Sequence, residues 1–194
     1  MVSVPQLPLP IAPDVAVKRV ILPALQLLPA AMTSRRAVIM VLAIFLQESA
    51  LAHRWQVVDL QRPDRKGPAR GLGQFERGSR TAGGGVWGIY QHAASRFWLS
   101  KVCEALGVPF RPEDIWLAME SKDALAVCAS RLLLFTDARP LPAAGDEEQA
   151  WGYYLRNWRP GAYFNGTPAK RAALRAKFGN HYRTALAATA SIAA

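Results

Sequence analysis

The stretch AVIMVLAIFL, residues 37–46, runs directly into Gln47-Glu48-Ser49, and its reading decides the fold. A bilayer-spanning helix needs about 20 apolar residues, so this shorter run belongs to a protein core. Ser34 supplies a side-chain oxygen suited to an N-cap, which predicts a helix from Ser34 to Glu48. A helix that is apolar on every face is buried on most of them. Glu48 therefore ends a buried helix, where the helix dipole is negative and water is scarce. Both conditions raise a carboxyl pKa, and a general acid working near neutral pH needs a raised pKa. The plainer alternative is a carboxylate lying past the core and paired with Arg54.

Working outward, Pro13 to Leu28 predicts a first helix kinked at Pro23. Residues 1–33 then form an N-terminal extension packed on a main domain of residues 34–194, the whole being one compact unit. Val57 to Gly88 is rich in Gly, Pro and Arg and reads as loops with a short hairpin. Loops of that length inside a compact domain are commonly functional. Helices resume at Ala93–Leu106, closed by Gly107, and at Pro112–Met119, with Pro112 at the helix start. Ser121 is the expected cap of a helix reaching Phe135. Asp137 to Gly145 is a Pro-rich connection. Asp146 and Gln149 form a capping-box pattern that opens a helix to Trp158. Thr167-Pro168 opens the last helical stretch, with Gly179 as a break before Asn180–Ala190. The expected class is mainly α.

The chain has 194 residues, 51% of them hydrophobic, which suits a single domain with a real core and argues against wholesale disorder. Two cysteines, Cys103 and Cys128, are too few for a disulfide scaffold and read as buried thiols on separate helices. The N-terminus has no cation before Lys18 and is broken by prolines, so it fits a secretory signal poorly. Stable membrane insertion is not expected. With 24 Lys and Arg against 14 Asp and Glu, the net charge is +10, which predicts attraction to a polyanion. Nucleic acid, an anionic membrane surface and acidic cell-wall polymer all satisfy that requirement.

Gln47-Glu48-Ser49 closing an apolar helix, followed by Gly71-Leu72-Gly73-Gln74-Phe75, resembles the soluble-lytic-transglycosylase branch of the lysozyme-like superfamily. That branch pairs a Gln-Glu-Ser helix end with a Gly-Leu-Met-Gln segment in the loop or hairpin lining the cleft. Gly73 stands where the family has Met. Ala150-Trp151-Gly152-Tyr153-Tyr154 falls where the family has an Ala-rich helix ending in Tyr-Asn-Ala-Gly, and Asn157 and Gly161 echo the remainder loosely. The three blocks span Ala37 to Gly161, and short phage- or prophage-encoded lysozyme-like proteins are the nearest type. The resemblance implies a lysozyme-like fold with a small loop or β-hairpin region along the cleft. It also implies cleavage of the β-1,4 bond between N-acetylmuramic acid and N-acetylglucosamine in bacterial peptidoglycan.

On that resemblance Glu48 is the general acid and then the base. Attack by the muramyl 6-hydroxyl gives a 1,6-anhydro product; a lysozyme instead delivers water with help from a second carboxylate. Glu76, Asp59 and Asp64 are the candidates for that partner, each with the alternative of a solvated loop charge. Glu76 stands first because it follows the cleft block. Without a compelling partner, the transglycosylase route is preferred. Ser49 either contacts the substrate or acid or bonds its own backbone. Gln74 matches the family glutamine that meets the sugar N-acetyl group, Phe75 belongs to the same block, and Tyr154 matches the family tyrosine better than Tyr153. Trp87, Tyr90, Trp151 and Trp158 stack on sugars or pack in the core, Trp151 especially.

Other chemistries lack support. His53, His92 and His181 have no ligand spacing, so neither metal nor cofactor is expected. Gly83-Gly84-Gly85 lacks a following Gly-Lys-Ser/Thr and reads as a flexible loop. Two further classes stay open: an inactive lysozyme-like structural or virion protein, in contact with other phage proteins, and a basic nucleic-acid-binding protein. Against the second, the cations are dispersed and no recognition motif is present. The expected setting is the host cytoplasm or a virion, with action at the periplasmic cell wall.

Overall fold

A computed structural model describes residues 4–192, which fold into a mainly α-helical body with one small antiparallel sheet. The decisive run forms helix α3, Arg35–Ser49, after two short helices at the N-terminus. Ser34 caps α3, its Oγ accepting from the Ala37 amide at 3.2 Å. Of the 15 residues of α3, only Arg35, Arg36 and Glu48 escape burial. Such a helix is apolar all round because neighbours cover every side.

Those neighbours come from both ends of the chain. The N-terminal helices α1 (Pro13–Ala16) and α2 (Leu22–Leu25) are joined by a π-helical turn, Val17–Ile21. Pro23, where the sequence predicts a kink, instead stands in the first turn of α2 directly after this π turn, a position that needs no N–H from it. The helix stops at Leu25, short of Leu28, where turns bonded to Pro23, Ala24 and Leu25 carbonyls take over. Val17, Val20, Ile21 and Leu25 join the same core as α3. On the other sides of α3 lie α7, Asp123–Thr136, and the long α10, Pro168–Ala188.

The Gly/Pro/Arg-rich segment carries more structure than a hairpin. Strands β1 (Trp55–Val57), β2 (Lys66–Arg70) and β3 (Phe75–Glu76) form a three-stranded antiparallel sheet in sequence order. Helix α4, Gly85–Gln91, begins inside what the sequence marks as loop. Helices α5 (Ala93–Leu106), α6 (Pro112–Ala118) and α8 (Glu147–Trp158) match expectation. Gly107 ends α5 in the left-handed region, and Asp146 Oδ1 caps α8 through the Gln149 amide at 2.9 Å. A short α9, Gly161–Phe164, precedes α10.

Two expectations fail for clear reasons. Ser121 does not cap α7, because the helix starts at Asp123 and Lys122 holds the N-cap position; the Ser121 hydroxyl donates to the Ala118 carbonyl instead. Gly179 does not break α10, which runs through it. Gly179 is there for close approach: a Cβ would sit 2.6 Å from Glu147 Oε1. No helix among the described residues is long and apolar enough to cross a membrane.

Candidate active site

Glu48 is the penultimate residue of α3, half-buried where its neighbours Gln47 and Ser49 are buried. The chain turns sharply after it, with Ala50 at φ 53° and Leu51 at φ 55°. Ser49 secures that turn: its Oγ donates to the Phe45 carbonyl at 3.0 Å and accepts from the Leu51 amide at 3.3 Å. The serine hydroxyl is therefore spent on its own backbone. Arg54 does not pair with Glu48 either. Its guanidinium grips Asp123 at 2.8 and 2.6 Å, and the pair is buried. Arg54 also donates to the Leu7 carbonyl, while its own carbonyl accepts the Gly71 amide at 2.7 Å. One residue thus ties the exit of α3 to the start of α7 and to the glycine-rich turn.

That turn faces Glu48 across a cleft of about 480 Å³, whose walls include Gln74, Phe75, Glu76, Asn157 and Trp158. Gln74 sits at φ 50° at the end of the turn, with its amide N–H and its Nε2 both donating to the Gly71 carbonyl. Its Oε1 stays available to a donor. Trp158 closes the wall by packing edge-on against Phe75 at 5.5 Å and donating Nε1 to the Gly73 carbonyl at 2.9 Å. Gly73 is closely packed: a Cβ there would lie 2.9 Å from Ser130 Oγ and 3.2 Å from the Phe45 ring. The space beside the turn is filled by Ser130, Phe45 and Phe75.

Behind Glu48 stands Tyr154, whose Oη donates to Glu48 Oε1 at 2.6 Å. The ring is buried and stacked between Trp151 at 5.5 Å and Phe178 at 5.1 Å, so the phenol has little freedom. Tyr154 does not line the cleft; it meets the carboxyl from the protein side. Tyr153 points elsewhere, donating to the Leu134 carbonyl. Burial pushes the Glu48 carboxyl up to about 7, opposed by the Tyr154 hydrogen bond and by the Lys177 ammonium. The Tyr154 phenol is itself raised, first by burial and then by the adjacent Glu48.

Helix α10 contributes residues that the motifs do not mark. Lys177 Nζ donates to the Gln47 carbonyl at 3.1 Å, capping the end of α3 beside the acid. His181 Nδ1 lies 3.0 Å from Gln47 Oε1, and burial, with Lys177 nearby, lowers the imidazole pKa. A dispersed cation count hides such a role, since only the packing of α10 on α3 brings Lys177 to Glu48.

The remaining candidates separate cleanly. Glu76 is exposed and shares the cleft with Glu48. Asp59 accepts from the Gln61 amide and pairs with Arg62 in a surface turn, and Asp64 is exposed; neither lines the cleft. Trp87, Tyr90 and Trp151 lie outside its walls, and Trp151 is core. Cys103 and Cys128 are free and buried, the Cys103 thiol pushed up to about 12, so neither is a poised nucleophile. Among the described residues no group of three or more His, Cys, Asp and Glu is placed to hold a metal. Comparison with protein families, curated proteins and solved structures gives no match.

Proposed function

We propose that this chain is a lysozyme-like glycosidase that cuts the MurNAc-β-1,4-GlcNAc bond of bacterial peptidoglycan, with Glu48 as the general acid. The observation that carries the reading is the state of that carboxyl: it lines an open cleft, and its pKa is raised to about 7. Near neutral pH it holds a proton to give to a leaving oxygen. The Tyr154 bond occupies Oε1, which leaves Oε2 to carry that proton. Having lost it, the same carboxylate serves as base.

Gln74 and Glu76 set the rest of the reaction. The free Oε1 of Gln74 suits the N–H of an acetamido substituent, and Trp158 and Phe75 give the wall an apolar face. An exposed Glu76, whose side chain makes no hydrogen bond or ion pair among the described residues, is a weak platform for a precisely held water, because nothing orients its carboxylate. A single acid that works twice, with the muramyl 6-hydroxyl as internal nucleophile, needs no such partner. The lytic transglycosylase route is therefore preferred over hydrolysis. The +10 charge outside the chemistry raises the encounter rate with the acidic wall.

Digestion of purified sacculi with mass spectrometry of the released muropeptides tests this directly. Anhydro-muramyl ends are expected, and Glu48→Gln should abolish their release while leaving the circular dichroism spectrum intact. Reducing ends would replace the transglycosylase by a lysozyme. A folded wild-type protein that releases nothing would leave the inactive virion-component reading.

A further inference from the structure

A second cavity, of about 460 Å³, opens at the N-terminal end of α3, about 20 Å along the helix axis from Glu48. Three arginines line it, Arg36, Arg131 and Arg139, against one acidic residue, Asp137. Asp137 is already engaged by the Arg139 amide, Asn157 Nδ2 and Arg156 Nε at 3.0–3.2 Å. Arg131 is the unusual member. It is only 6% exposed, and its Nε donates to the Met32 carbonyl at 2.7 Å. Its guanidinium lies over the Phe135 ring at 5.6 Å, but among the described residues its terminal nitrogens make no hydrogen bond and it has no ion-pair partner.

An arginine stays charged at any physiological pH, and a charge largely withdrawn from water without a counterion favours an anion at its open end, here the cavity. Burial accordingly lowers the Arg131 pKa, with the Tyr153 phenol opposing. Arg36 and Arg139 are exposed at the same opening, and their side chains form no ion pairs among the described residues. The first turn of α3 adds its positive dipole end beside Ser34, another lining residue. Leu134, Phe135 and Leu141 make the rest of the wall apolar.

We infer that this cavity is a binding site for a phosphate ester, held by Arg131, Arg36 and Arg139 through its phosphate oxygens. Three forked donors against one neutralised carboxylate match a doubly charged, multi-oxygen group better than a lone carboxylate. The organic part of the ester rests on the apolar wall. The inference is independent of the chemistry proposed for Glu48.

The test titrates inorganic phosphate into the full chain while following the Arg131 Nε–Hε signal by NMR. Saturable binding is expected, at least tenfold weaker in Arg36→Ala/Arg139→Ala and unchanged in Lys18→Ala/Arg19→Ala, which removes the same charge elsewhere. The exposed pair is chosen because Arg131 also holds the Met32 carbonyl, so its removal endangers folding. Vesicles of phosphatidic acid, whose headgroup is a phosphate monoester, in phosphatidylcholine identify the source. Vesicle binding that free phosphate displaces, and that the first double variant loses, makes the ester a lipid headgroup; phosphate binding without it makes the ester a soluble one, and both support the site. Absence of saturable phosphate binding, or equal weakening in the two double variants, overturns it.

Discussion

The Tyr154 phenol and the Glu48 carboxyl meet at 2.6 Å, the phenol donating to Oε1, and neither can be understood without the other. The stacked, buried ring fixes the direction of the donor, and the donor fixes which carboxyl oxygen is left free. The bond also favours the carboxylate, so it restrains a pKa that burial drives upward.

Tyr154→Phe keeps the stacked ring and deletes the bond. With the restraint gone, the Glu48 pKa rises above about 7, and the alkaline limb of the pH–rate profile moves to higher pH. Rate on the acid plateau should fall about tenfold, in line with one lost hydrogen bond of about 1–1.5 kcal/mol. Muropeptide release from pH 4.5 to 9 measures both; a limb that moves to lower pH would mean that the phenol does not stabilise the charged acid.

Glu48 also leaves a mark on stability. Its folded pKa of about 7 lies above the ordinary 4.5, so the folded chain binds this proton more tightly than the unfolded one. That contribution is fully present below about pH 4.5 and is lost as pH rises through about 7. Its size is at most about 3.4 kcal/mol. Glu48→Gln, which cannot ionise, should match wild type in denaturant unfolding at pH 4.5 and exceed it at pH 8. A constant gap across that range would show that burial does not raise this carboxyl.

The parts of the molecule legible from sequence were those set by local chemistry. The apolar run with Ser34 before it specifies α3, and Asp146, Thr167 and Pro168 open their helices through short-range bonds and fixed backbone angles. What could not be read locally depends on contacts distant in the chain. Gly179 looks like a helix end until Glu147 packs against it from α8. Ser121 looks like a cap, yet α7 starts one residue too late for it, with Lys122 in the N-cap position. The motif residues Glu48, Gln74, Phe75 and Glu76 come to one cleft, whereas Lys177 reaches the acid only because α10 packs along α3.

Lys177 gives a prediction distinct from that for Tyr154, because its ammonium acts on two groups. It lowers the Glu48 pKa and, by like-charge repulsion, the His181 pKa. Lys177→Met should therefore raise both, moving the alkaline limb of activity and the His181 imidazole titration upward together. Loss of the bond to the Gln47 carbonyl should also cost about 1 kcal/mol of stability. NMR titration of the imidazole beside the pH–rate profile checks the pair, and an unmoved His181 would break the argument.

Gly73 replaces the methionine of the resembled motif, and the packing around it says why no side chain is tolerated. A Cβ would approach Ser130 Oγ at 2.9 Å, the Phe45 ring at 3.2 Å and the Phe75 ring at 3.3 Å. The Ser130 hydroxyl cannot swing away freely, since it donates to the Ala126 carbonyl at 2.8 Å. Both rings are buried. Gly73→Ala should then destabilise the fold by about 1–3 kcal/mol, the usual cost of overpacking a filled core. It should also weaken substrate binding, because Gly73 presents its carbonyl to Trp158 on the cleft wall. Ser130→Ala placed on Gly73→Ala removes the nearest obstacle and should recover part of the lost stability, leaving the contacts with the rings. Thermal unfolding of the two variants decides the matter: an alanine at 73 that leaves the melting temperature unchanged would mean the turn has room, and that Phe45 does not exclude a side chain there.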